Sequence, residues 1–194
     1  MANVNGKKYA LTALFPIKDG EHYAELKAYL REMEKDDYGS PLSQVACVHM
    51  ARFVIIEDFY YQGLPAKRDH LQSRYLLFMC DFDGESVDVL AGAMASQIGG
   101  TVFAIWRHCV GFPAKYSRDQ LIAYFERCQL KTSLFFADRP DDEVARILRA
   151  LMYKRAFVEF VEKGQRLPRG QLKAEFDKMW SGLASQPSPH PGSM

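Results

Sequence analysis

The sequence of 194 residues lacks the short motifs by which many enzyme classes are recognised. It contains no Walker loop, no glycine pattern for a dinucleotide, no zinc-ligand spacing and no G-x-S-x-G motif. Excess charge is also absent, since 25 basic and 24 acidic residues leave a formal net charge of +1. A nearly neutral chain has no global field that attracts nucleic acid or an anionic membrane, so we expect neither partner.

Cysteine pairs and long apolar runs are missing as well. The four cysteines lie far apart and form no C-x-x-C pair, so we expect free thiols. No apolar run approaches the roughly 20 residues of a membrane span. The first residues, MANVNGKKYAL, have no signal-peptide core. The sequence therefore predicts a cytoplasmic protein.

The chain does contain enough apolar surface for a packed core, with 48% hydrophobic and 13% aromatic residues. Strands are predicted at residues 8–15, 44–57, 73–82 and 101–110, and helices at residues 21–35 and 86–98. This β-α-β-β-α-β order predicts an α+β fold over residues 1–113, a ferredoxin-like antiparallel sheet with two helices on one face. Helical apolar spacing then predicts a C-terminal helical extension over residues 114–184, packed on that domain, and a disordered tail at 185–194.

The predicted strands are nearly apolar on both faces, as in VHMARFVII, RYLLFMCDF and TVFAIW. An antiparallel sheet with one solvated face alternates apolar and polar residues, and these strands do not. We therefore expect the face opposite the two helices to be covered. Either the C-terminal helices or the sheet of a second subunit would cover it.

In element order, residues 8–113 resemble the dimeric α/β-barrel proteins. That group includes small monooxygenases, haem-degrading enzymes, chlorite dismutases and dye-decolorising peroxidases. The Gly-x-x-Asp-Gly motif of the last family is absent here, and no family's catalytic residue transfers to a numbered position. The resemblance implies a homodimer and an apolar pocket on the open sheet face, with haem as the candidate cofactor and a cofactor-free pocket as the alternative.

Two histidines are the candidate catalytic residues. His108 lies in the densest polar cluster of the chain, between Arg107 and Cys109. Imidazole titrates near neutral pH and binds iron readily, so His108 is also the candidate metal ligand. His49 lies among apolar residues of the second predicted strand. The structural alternatives are a hydrogen bond from His108 to the following loop and a satisfied core histidine at His49.

Strand geometry constrains these candidates. On the predicted fourth strand, Arg107 lies on one face and His108 shares the other with Trp106. In the ferredoxin-like strand order, His49 and His108 lie at the same end of the sheet, on opposite edges and about 14 Å apart. They therefore cannot bind one metal ion within a single chain.

Arg52 is the leading candidate for binding an acidic ligand. It lies among apolar residues and needs a partner. Glu57 or Asp58 would make a structural ion pair, and the carboxylate of a ligand or a haem propionate would serve equally. The other candidates for ligand binding are Arg107, Trp106, Tyr60 and Tyr61. The two tyrosines belong to an aromatic loop that forms either a lid over an apolar ligand or a plug that anchors the connection.

These observations lead to two hypotheses of function. The first is a small-molecule or haem-binding protein of the dimeric α/β-barrel type, an oxidative enzyme (monooxygenase- or peroxidase-like) that binds a small apolar or acidic ligand on the open sheet face. The second is a non-catalytic binding or interaction protein whose sheet face is filled by its own C-terminal helices.

Overall fold

The computed structural model describes residues 3–34, 39–61, 63–65 and 69–192. The strands are β1 (Val4–Asn5), β2 (Lys8–Pro16), β3 (Val48–Ile56) and β4 (Tyr75–Asp83). The helices are α1 (His22–Glu34), α2 (Val87–Gln97), α3 (Gly99–Trp106), α4 (Arg118–Cys128), α5 (Val144–Gly164) and α6 (Arg169–Ala184), and a short 3-10 helix, Pro41–Gln44, precedes β3. The α+β class is confirmed.

The sheet is antiparallel throughout, in the order β1-β2-β4-β3. Facing residues of the three long strands form rows across the sheet, and alternate rows point to opposite sides. Rows on the core side are Phe15–Leu76–Ile55 and Ala13–Phe78–Phe53, whereas rows on the other side are Leu14–Leu77–Val54 and Thr12–Met79–Arg52. One side of the sheet therefore carries the aromatic core, and the other we call the open face.

The predicted fourth strand is wrong, because its first six residues belong to α3 and the remainder form a turn. Val102, Ile105 and Trp106 are buried, whereas Phe103 is 36% exposed, which is helical spacing. A short, wholly apolar run such as TVFAIW does not distinguish a buried strand from a buried helix by periodicity. The chain bends by 106° between α2 and α3, so the two helices pack separately on the core side.

Helix α4 completes the core from beyond the predicted domain boundary at residue 113. It begins with a capping box, in which the Ser117 hydroxyl accepts from the Gln120 N–H and the Gln120 side chain accepts from the Ser117 N–H. Its buried residues are Leu121, Tyr124 and Phe125. The C-terminal part of the chain thus contributes to the same core as the sheet.

Helices α5 and α6 form a hairpin and pack chiefly against each other. The hairpin is attached to the open-face side of the sheet, where the Val144 N–H donates to Asp83 Oδ2 at 2.8 Å. The Lys7 N–H also donates to the Pro140 carbonyl at 3.0 Å. Gly6 has φ +60°, and a Cβ there would lie 2.7 Å from Pro140 Cβ, so this close approach requires glycine.

The open face is only partly covered. Leu14, Leu77 and Val54 are half-buried, whereas Met50 is 59% exposed and Arg52 is exposed. This face is therefore the apolar surface that the strand sequences predict.

Among the described residues, no single helix has both the length and the apolar character of a membrane span. Helices α2 and α3 meet the length and hydropathy criteria only when they are counted as one segment, and the chain bends by 106° between them.

Candidate functional site

The candidate site is built where the chain leaves β2. Residues just after this strand run beside the turn that follows α3, with Ile17 bridged to Cys109. The Lys18 N–H donates to the His108 carbonyl at 2.9 Å, and Lys18 Nζ donates to the Arg107 carbonyl at 2.7 Å. These bonds satisfy carbonyls at the end of α3 and hold the backbone of His108 against the start of α1.

Helix α1 brings two further side chains to His108. His22 is the first residue of α1 and Glu25 lies three residues later, so both project from the same face of the helix. His22 Nδ1 lies 3.1 Å from His108 Nδ1, and Glu25 Oε2 lies 3.5 Å from the same nitrogen. The donor atoms of all three residues lie within 4.8 Å of one another. We call these three residues the HEH cluster.

The spacing within the HEH cluster matches that of ligands around a metal ion. Two nitrogens that are each about 2.05 Å from a metal ion are about 2.9 Å apart at a right angle and about 3.3 Å apart at the tetrahedral angle. The observed separation of the two imidazole nitrogens, 3.1 Å, lies between these values. The separation of 3.5 Å from Glu25 to His108 is close to the tetrahedral value. Two of the three separations in the cluster therefore already match those of ligands that share one ion.

Arg107 determines which nitrogen of His108 carries the proton in this conformation. Its Nε–H donates to His108 Nε2 at 3.1 Å, and a guanidinium has no acceptor, so neutral His108 carries its proton on Nδ1. That Nδ1–H then donates to His22 Nδ1. Arg107 also lies 3.9 Å from Glu25 Oε2. The cluster is thus held together by one shared proton and one neighbouring guanidinium.

His108 is 1% exposed, and this burial lowers its pKa below the usual value of histidine. The neighbouring charge of Arg107 lowers the pKa further, with smaller effects from His22 and Lys18, whereas Glu25 opposes them. His108 is therefore neutral at neutral pH, the form in which imidazole binds metal ions. Next to it, burial raises the pKa of the Cys109 thiol to about 12, so this cysteine is an unreactive core residue.

His49 lies at the other end of the sheet. Its Nε2 is 2.6 Å from Asp83 Oδ1, and Asp83 faces Lys8, the first residue of β2. His108 lies beyond the last residue of that nine-residue strand, so the two histidines are separated by its length, about 25 Å. The expectation of a shared sheet end is therefore wrong, and the reason is that it relied on a fourth strand. His49 and Asp83 form a hydrogen-bonded pair beneath the start of α5, and a catalytic role of His49 stays a prediction.

The predicted ligand-binding residues do not meet in one place. Arg52 lies on the open face, 3.7 Å from Met79 Sδ, and pairs with neither predicted acid. Glu57 instead pairs with Lys27, and Asp58 with His70. Trp106 is fully buried in the core, and its indole N–H has no hydrogen-bond partner among the described residues. Tyr60 and Tyr61 are 77% and 78% exposed. Only Arg107 lies beside His108.

A polar cleft of about 420 Å³ lies near the start of α1 and contains Lys18, Tyr23 and Arg74. On its rim, His70 Nδ1 is 2.6 Å from Asp58 Oδ2. This hydrogen bond, with two backbone N–H donors, lowers the pKa of Asp58 to about 2, and the same bond raises the pKa of His70. His70 is 77% exposed, so this pair is a solvated surface interaction.

Haem at His108 would require a change in this arrangement. Both ring nitrogens of His108 face protein atoms, Nδ1 toward His22 and Glu25 and Nε2 toward Arg107. As an axial ligand, His108 would have to leave at least one of these partners. Haem remains a prediction of the fold-level resemblance.

The chain matches no family model, no curated protein and no solved structure. Sequence reasoning identified His108 and Arg107 but missed His22 and Glu25. The available signal was the H-x-x-E spacing at the start of an amphipathic helix, which places both side chains on one helical face.

Proposed function

We propose that the protein binds a divalent first-row transition metal ion through His22, Glu25 and His108. The observation that carries this proposal is the convergence of two imidazole nitrogens and one carboxylate oxygen at ligand-like separations. Imidazole suits iron, nickel, copper and zinc, and a carboxylate completes a set that both iron and zinc accept.

The ligand count favours a catalytic site over a structural one. Structural zinc sites are closed by four protein ligands, whereas three protein ligands leave positions for water or substrate. The half-exposed Glu25 side chain places the cluster within reach of solvent. Two histidines and one carboxylate with open positions are the ligand set of non-haem iron oxygenases, so oxidative chemistry is the reaction class that we propose.

A cobalt(II) titration followed by visible absorption tests metal binding directly. We expect one equivalent to bind the wild type, and we expect His22→Gln and Glu25→Gln each to weaken binding by at least about 100-fold, since even outer-shell changes cost up to that amount. His49→Gln is the matched control, because it also removes a histidine beside a carboxylate, but at the other end of β2. Equal binding by all four proteins would overturn the proposal.

We also propose a homodimer through the open face, as the strand sequences suggest. The half-buried row Leu14–Leu77–Val54 and the exposed Met50 support this, because such a surface is unusual on a monomer. In this proposal, Arg52, which already interacts electrostatically with Asp81 of the same chain, binds a further acidic group from the second subunit or from a small ligand held between the sheets.

Sedimentation equilibrium of the wild type and Val54→Asp tests the homodimer. We expect a dimer that the buried charge of Val54→Asp dissociates, with Val89→Asp as the control on the exposed side of α2. A wild-type monomer at all concentrations would leave the open face to a small apolar ligand or to the α5–α6 hairpin.

A further inference from the structure

The environment of the HEH cluster carries information about what would bind beside the metal ion. Glu25 is the negatively charged ligand, and two cations adjoin the cluster, Arg107 and Lys18. A divalent metal ion with one carboxylate and these two cations has a local charge of about +3. Such an excess near a partly buried site favours a negatively charged ligand at the open coordination positions.

Metal binding also releases Arg107 from its present partner. A neutral imidazole that binds a metal through Nδ1 carries its proton on Nε2. His108 Nε2 then becomes a donor and faces the Arg107 Nε–H, which is also a donor. In the metal-free structure these two nitrogens are 3.1 Å apart. Two donors repel, so the guanidinium has to turn away from the ring.

Arg107 is free to move because its side chain is 51% exposed. Its Nη2 already lies 3.9 Å from Glu25 Oε2, a metal ligand in the proposed function, so the released guanidinium remains within a few ångströms of the ion. Arginine presents paired N–H groups that match the two oxygens of a carboxylate. The backbone at this point is fixed by Lys18, which holds the Arg107 carbonyl at 2.7 Å.

From this geometry we infer that the metal-loaded site binds a small carboxylate, with one oxygen on the metal ion and the guanidinium of Arg107 as its counterion. This inference rests on the proposed metal site. It names the class of substrate or co-substrate, a small organic acid, that the open positions accept. In the metal-free protein the same guanidinium is engaged with His108 and Glu25, so carboxylate binding depends on the metal ion.

Cobalt(II)-loaded protein provides the test, because its visible spectrum reports ligand exchange without any assay of activity. Acetate is the probe, and acetamide, which has nearly the same shape but no charge, is its control. We expect acetate to change the spectrum saturably and acetamide to leave it unchanged. Arg107→Gln should bind cobalt at least as tightly as the wild type, yet bind acetate at least about 10-fold more weakly.

Arg107→Lys should recover part of the acetate affinity, because it restores the charge without the paired donors. Arg149→Gln, an exposed arginine on α5, should behave as the wild type. If cobalt binds but acetate affects the wild type and Arg107→Gln equally, the carboxylate inference is wrong and the metal site stands. If cobalt does not bind, the metal proposal itself fails.

Discussion

The two ends of β2 each place a histidine beside a carboxylate, yet they are built differently. At the first end, Asp83 uses one oxygen for His49 and the other for the N–H of Val144, so both oxygens have partners within the fold. At the second end, donor atoms of His22, Glu25 and His108 lie within 4.8 Å of one another, and Glu25 is half exposed. A closed pair anchors a helix, whereas an open convergent cluster is available to a ligand.

The largest effect on stability is expected at the closed end. Asp83→Ala leaves His49 and the Val144 N–H without their acceptor in a partly buried place, which we expect to lower the free energy of unfolding by about 3 kcal/mol. Urea denaturation at pH 7 measures this change. Glu25→Gln, at the open end, should change stability by less than about 0.5 kcal/mol. Equal losses of stability in Asp83→Ala and Glu25→Gln would contradict the distinction between a closed pair and an open cluster.

Metal ions should stabilise the protein only through the open end. A ligand at 100 times its dissociation constant adds about 2.7 kcal/mol to stability, which raises Tm by roughly 5–10 °C for a protein of this size. We expect that shift with zinc for the wild type and for His49→Gln, and we expect no shift for His22→Gln. Thermal unfolding followed by circular dichroism tests this. A shift that survives in His22→Gln would place the metal elsewhere.

The pH dependence should separate His108 from the exposed His70. Burial lowers the pKa of His108 in the folded protein, so at mildly acidic pH this histidine takes up a proton more readily in the unfolded chain. His108 therefore reduces the stability of the folded protein as pH falls from about 6.5 toward its folded pKa. The pKa of His70 is raised by Asp58, so its contribution is present below about pH 6.5 and is lost as pH rises through its folded pKa.

An NMR titration of the histidine rings measures both folded pKa values. We expect His108 to titrate below the usual value of about 6.5 and His70 above it. In metal-free Glu25→Gln the pKa of His108 should fall further, because the Glu25 carboxylate opposes the effect of burial. The reverse order in the wild type would contradict the described environment of the cluster.

The smallest effect is expected for the exposed ion pair that flanks the closed end. Lys7 Nζ lies 3.0 Å from Glu143 Oε1, and both side chains are at least half exposed. Lys7→Met should therefore change the free energy of unfolding by no more than about 0.5 kcal/mol. A loss comparable to that of Asp83→Ala would mean that the surface ion pair attaches the α5–α6 hairpin as strongly as the partly buried carboxylate does.

The sequence predicted those elements whose signals are local. The helix predicted at residues 21–35 rests on apolar spacing within a few turns, and α1 confirms it. The four-residue capping box at Ser117 is a local signal of the same kind. Residues 101–106 have no polar side that distinguishes a strand from a helix, so α3 was missed. The ferredoxin-like order depended on that segment.

The candidate site was predicted only in part, for a related reason. His108 stands out in the sequence because of its polar neighbours, but its partners come from α1, more than 80 residues earlier. That contact depends on the pairing of Ile17 with Cys109, which joins the end of β2 to the turn after α3. No local pattern predicts such a long-range pairing. The H-x-x-E spacing of α1 indicates a candidate metal site only once the turn after α3, which carries His108, is known to lie beside α1.

The most direct test of the central claim is the NMR spectrum of the histidine ring nitrogens before and after addition of one equivalent of zinc. We expect Nδ1 of His22 and Nδ1 of His108 to shift to metal-bound values, while the ring nitrogens of His49 and His70 stay unchanged. If His22 and His108 are unaffected, or if the ring of His49 or His70 shifts instead, the proposed metal site is contradicted.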